Sequence, residues 1–128
     1  MYEPNRDKSY RCPKCKSDYN RQHYEQNKTV YIARAVARKT QVVRDLSVRI
    51  HEYLLGHPCV DCGESNTVVL EFDHVAQKSY DVAMMAAKGH SWNSILREIA
   101  KCEVRCANCH RLITAKRGNW TKHRLNEQ

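Results

Sequence analysis

Two Cys-x-x-Cys pairs, Cys59-Val60-Asp61-Cys62 and Cys106-Ala107-Asn108-Cys109, constrain the fold of this chain more than any other feature. Four soft thiolates suit a closed tetrahedral zinc site, and binding of the ion then adds directly to folding free energy. A chain of 128 residues, 41% of them hydrophobic, has only a modest core, so a metal staple is a natural supplement. Seven cysteines could instead form disulfides. The odd count, the paired spacing and the lack of an export signal argue for metal in a reducing compartment. Between the two pairs lies Asp73-His74, and the second pair runs directly into His110. One carboxylate and two imidazoles are left over from the sulfur site. These residue types can hold a second, catalytic metal beside a general base.

The net charge is +8, from 22 Lys and Arg against 14 Asp and Glu, which favours a polyanionic partner. Nucleic acid fits best; an acidic membrane and a merely solvated basic surface are the weaker readings. No acidic residue lies between Val104 and Asn126, whereas Arg105, Arg111, Lys116, Arg117, Lys122 and Arg124 do. Their concentration beside the Cys/His cluster points to phosphate binding. No apolar run is long enough to cross a bilayer and no signal peptide opens the chain. A soluble, cytoplasmic protein without a membrane partner is expected.

Residues 1–20 carry Cys12-Pro13-Lys14-Cys15, half of a zinc knuckle with His23 as a candidate third ligand, or an incomplete knuckle that binds nothing. Residues 21–56 form a basic helical arm. From about Arg21 to Leu55 there is no Gly or Pro, and Val36, Val43, Leu46, Ile50 and Leu54 recur at helical spacing before Gly56 and Pro58 stop the helix. Its arginines could lie along a phosphate backbone or simply face solvent. Residues 57–118 hold the chemistry. Cys59 to Gly63 reads as a metal-binding turn, and Thr67 to Phe72 as a strand with Val68, Leu70 and Phe72 on one face and Asp73 turned away from it. Asp81 to Ala87 reads as a helical turn closed by Gly89. Ser91 caps a helix burying Trp92, Ile95, Leu96 and Ile99, and Glu103 to Arg105 makes a second strand. A last helix from Ala107 to about Arg117 sets His110, Thr114 and Arg117 on one face and Leu112 toward the core. Residues 119–128 are a basic tail. Tyr80 and Trp92 are expected in the core, Cys102 as a small buried hydrophobe.

Cys59-x-x-Cys62, Leu70-Glu71-Phe72-Asp73-His74 and Cys102-Glu103-Val104-Arg105-Cys106-Ala107-Asn108-Cys109-His110, in this order, resemble the HNH endonucleases over about residues 57–117. The resemblance implies an α+β protein with a zinc-stapled ββα-metal (His-Me finger) core behind a long basic helix. It implies hydrolysis of DNA phosphodiester bonds with one divalent metal, Mg2+ or Mn2+ or another. His74 matches the general base, and Asp73 and His110 the two protein ligands of that metal. Arg105, Arg111, Lys116 and Arg117 are the candidate phosphate contacts, which position DNA without reading its sequence. The family occurs in phages and mobile elements, so a bacterial or phage-infected host cell and phage packaging or other DNA-processing partners are implied. The family's middle asparagine, which holds the loop carrying the base, is Lys101 here, with Asn93 as a conceivable substitute. A further histidine found in some members is Thr114. The competing reading is a zinc-ribbon nucleic-acid-binding module, or an accessory subunit, in which Asp73 and His74 only cap a strand.

Overall fold

The stretch free of glycine and proline folds as one helix, α1, and it begins at Pro13 rather than near Arg21, running to Leu55. Proline suits a first helical position, where its fixed φ is already helical and its missing N–H has no partner to lose. Cys12 takes up a free N–H beside it: its Sγ accepts from Cys15 N at 3.1 Å. The structure is a computed structural model and describes residues 12–126. It forms two compact units, one up to Lys39 and one from Thr40 onward. In the first, α1 is exposed along nearly its whole length and carries an aromatic ladder in which Tyr19 stacks on His23 and Tyr24 on Tyr31. The last turns of α1 belong to the second unit, where Leu46 and Leu54 are buried; this part of the expected arm is core.

The second unit is α+β. Strand β1 (Leu70–His74) pairs antiparallel with β2 (Cys102–Cys106), in a register running from Leu70 opposite Cys106 to His74 opposite Cys102. Helices α2 (Val82–Lys88) and α3 (Trp92–Ile99) lie between the strands in sequence. Helix α4 (Ala107–Arg117) follows β2 without a linker, and a short α5 (Thr121–Asn126) occupies most of the stretch read as a tail. Asp81 caps α2 through Met84 N and Ser91 caps α3 through Ser94 N. Gly89 ends α2 in the left-handed region at φ 77°, where a side chain would be strained.

One apolar cluster gathers Leu46, Val82, Met85, Ala86, Ile95 and Ile99. The other gathers Leu54, Leu70 and Val104 around Cys59 and Cys106, so the sulfur cluster is built into the core. Burying each large aliphatic side chain here is worth roughly 1.5–3 kcal/mol.

Four expectations shift. The strand starts at Leu70 rather than Thr67, because Asn66 closes a turn by accepting Val68 N on Oδ1 and Val69 N on its carbonyl; Val68 is left 88% exposed. Leu112 is 68% exposed, since the face of α4 toward the sheet carries His110, Ile113 and Thr114. Leu96 and Tyr80 are also exposed rather than core, while Ile95 and Ile99 take the buried stripe of α3. Among the described residues no helix is long and apolar enough to cross a membrane.

Candidate metal centres

The turn after α1 delivers Cys59 and Cys62, and the β2–α4 junction delivers Cys106 and Cys109. Their four sulfurs lie within 4.8 Å of one another. Tetrahedral zinc, about 2.3 Å from each sulfur, sets the sulfurs about 3.8 Å apart. Cys62 and Cys106 Sγ are 3.7 Å apart, so the cage could hold a structural metal ion such as zinc with little rearrangement. The backbone prepares it: Gly63 N donates to Cys59 O, Val60 N to Val104 O, and Cys106 Sγ accepts from Cys109 N. Burial alone would raise the Cys59 thiol, but N–H groups of Cys106, Cys62 and Asp61 bring it down to about 6. Cys109 is pushed the other way, by hydrogen bonds with the Cys106 and Cys62 sulfurs. Crowded sulfurs cannot all shed protons together unless a cation compensates them.

The second group lies on the other face of the sheet. Successive side chains leave a strand on opposite faces, so Leu70 and Phe72 face the core while Glu71 and Asp73 face α4. There Asp73 Oδ1 comes within 3.5 Å of His110 Nε2. Glu71 Oε2 is 2.6 Å from His110 Nδ1, a contact that would keep a proton on Nδ1 when a cation takes the Nε2 side facing Asp73. A carboxylate and such an imidazole fit a divalent cation. A cationic group already stands there: Arg117, half-exposed, bonds Asp73 Oδ1 at 2.9 Å. Asp73 itself is only 4% exposed, not offered to solvent. Burial alone would raise its carboxyl; hydrogen bonding and charge from Arg117, followed by His110 and Arg105, hold it below the usual carboxylate range.

His74 has a partner of its own. It leaves β1 on the opposite face from Asp73 and its Nε2 lies 3.0 Å from Glu98 Oε1. Glu98, 4% exposed, also accepts from Ser79 N, Tyr80 N and Lys101 Nζ. Lys101 first, then those N–H groups and His74, overcome burial and set the Glu98 carboxyl down to about 2. The loop after His74 is thus held by Glu98, and by the Lys101 carbonyl, which accepts from Val75 N and Ala76 N. Lys101 holds this loop through its side chain as well, Nζ donating to Ser79 Oγ at 2.8 Å.

The candidate phosphate contacts divide. Arg105 is buried, with its guanidinium bonded to Asp61 at 2.7 Å, Asp73 at 2.6 Å and Glu103 at 2.5 Å, so it knits the site rather than meeting DNA. Arg111, Lys116 and Arg117 are exposed. Comparisons with family models, curated proteins and solved structures find no match. The site therefore stands on its own geometry.

Cys12 and Cys15 bring their sulfurs to 2.7 Å, but His23 turns to Tyr31 Oη at 3.3 Å instead of joining them. Cys102 is half-buried, with its thiol donating to the Glu98 carbonyl and pushed up to about 11, mainly by burial. Glu71 and Glu98 are what sequence reasoning missed. Each had a signal: Glu71 lies two residues before Asp73 on one strand face, and Glu98 shares the buried stripe of α3 with Ile95.

Proposed function

We propose that this chain is a metal-dependent DNA endonuclease, hydrolysing phosphodiester bonds with low sequence specificity on an HNH-like ββα core. The observation that carries the reading is the approach of His110 Nε2 to Asp73, with Glu71 behind the imidazole. When bound, a divalent ion such as Mg2+ or Mn2+ would neutralise charge on the scissile phosphate and stabilise the departing oxygen. Asp73 and His110 would hold that ion, and the half-exposed Arg117 would swing from Asp73 to the phosphate. Arg111 and Lys116 supply further phosphate contacts, so affinity should fall steeply with salt. With Glu98 accepting Nε2–H, Nδ1 of His74 would be the nitrogen that takes a proton from water, which requires the scissile phosphate to lie across the end of β1, where Asp73 and His74 leave the strand on opposite sides.

A second reading has its own observation. Both oxygens of Asp73 are bonded, by Arg105 and Arg117, His74 Nε2 is bonded to Glu98, and among the described residues no buried side-chain nitrogen or oxygen lacks a partner. A non-catalytic zinc module, or an accessory subunit of a DNA-processing assembly, needs nothing more.

Supercoiled plasmid separates the two. Zinc-loaded protein with Mg2+ or Mn2+ should nick it, and His110→Ala or His74→Ala should slow nicking roughly a hundredfold or more with zinc content unchanged and a cooperative melting transition retained. Gel retardation without nicking would establish the binding module.

A further inference from the structure

Beside His110 lies an aromatic surface that the nuclease reading does not use. Helix α4 ends at Gly118, Asn119 takes a positive φ of 49°, and Trp120 N donates back to Ala115 O. The chain folds over its own helix end and lays the indole there. A Cβ at Gly118 would come within 2.7 Å of Trp120 Nε1 and 2.9 Å of its Cδ1, so the seat requires glycine. The guanidinium of Arg111 lies over the ring, 5.5 Å from its centroid. Trp120 is nevertheless 40% exposed. Both side chains line a cavity of about 370 Å³ whose other walls include Thr114, Glu71 and His110.

The occupant is indicated by charge and shape. Helices α4 and α5 bring Arg111, Lys116, Arg117, Lys122 and Arg124 and no acidic residue, so the surface favours an anion. An indole and a guanidinium favour a planar, polarisable ring. A nucleotide has both properties, but within a continuous duplex its base is already stacked between neighbours. We propose that Trp120 and Arg111 form a stacking shelf for an unpaired nucleobase, so that DNA with unpaired nucleotides is the preferred substrate of the neighbouring site. The word substrate rests on the nuclease reading; the shelf itself does not.

The test is binding in Ca2+, with zinc retained, of an oligothymidylate about twelve nucleotides long and of a blunt duplex. The chain has two tryptophans, so Trp92→Phe leaves Trp120 as the single reporter. The oligothymidylate should quench the fluorescence of Trp92→Phe and leave that of Trp120→Phe unchanged. Trp120→Ala should lower the ratio of single-strand to duplex affinity about tenfold. Gly118→Ala should follow it by displacing the indole, and Trp120→Phe should keep most of the preference. Thermal melting of each variant checks folding. Absence of quenching in Trp92→Phe, or equal loss of both DNA forms in Trp120→Ala, overturns the shelf. Quenching with no Mg2+-dependent cleavage keeps the shelf and removes the nuclease; cleavage with an unchanged preference in Trp120→Ala does the reverse.

Discussion

The two faces of the small sheet hold polar clusters built on opposite principles. On one, four sulfurs from two segments lie within 4.8 Å of one another, and the Cys62–Cys106 pair at 3.7 Å already matches the spacing that a tetrahedral ion sets. On the other, a single buried carboxylate is shared by two arginines and an imidazole, and the positive charge around it comes from the protein itself. A cation entering the first completes it, whereas a cation entering the second must displace Arg117. That difference separates an ion that holds the fold from one that would come and go. It also predicts unequal responses to mutation.

The largest effect belongs to the sulfur cage. Cys59→Ser puts a hydroxyl at a core position and leaves three sulfurs for the ion, and because binding energy here is folding energy the second unit should lose zinc binding and its cooperative melting transition together. A zinc-free variant with wild-type melting would show that the cage is no staple. Next comes Arg105→Ala. It removes the cation between Asp61, Asp73 and Glu103, leaves Asp73 buried with fewer partners, and should cost about 3 kcal/mol in denaturant unfolding. Arg117→Ala, at the exposed side of the same carboxylate, should cost less.

Glu98 gives a smaller, pH-dependent effect. Its carboxyl is set down from 4.5 to about 2, so its contribution is complete above about pH 4.5 and is lost as pH falls toward 2. Between those limits the melting temperature of the wild type should fall more steeply than that of Glu98→Gln; parallel curves would mean the His74 loop does not depend on this charge. The smallest effect is expected at Leu112→Ser, within about 0.5 kcal/mol, because the side chain is largely in solvent.

What sequence reading reaches follows the range of each interaction. Cys59, Cys62, Cys106 and Cys109 announce themselves by spacing, since a metal ion imposes fixed geometry on its ligands. The meeting of Asp73 with the His110 face of α4 follows from a strand and a helix of known period. The inward turn of Arg105 does not, because it depends on cross-strand pairing that brings Asp73 and Glu103 to one face, and on Asp61 from the sulfur turn. Likewise Asp73 and His74 look like a joint pair in sequence, yet strand alternation sends them to different partners. The seat of Trp120 depends on one glycine and one left-handed residue at the end of α4, which composition alone does not single out.

The measurement closest to the contrast between the two clusters is Mn2+ binding to zinc-loaded protein, read by electron paramagnetic resonance beside zinc analysis of the same sample. One Mn2+ should bind per chain and be lost in His110→Ala, with one zinc per chain in both proteins. No Mn2+ bound, or equal binding in His110→Ala, would contradict the assignment of Asp73 and His110 to an exchangeable ion.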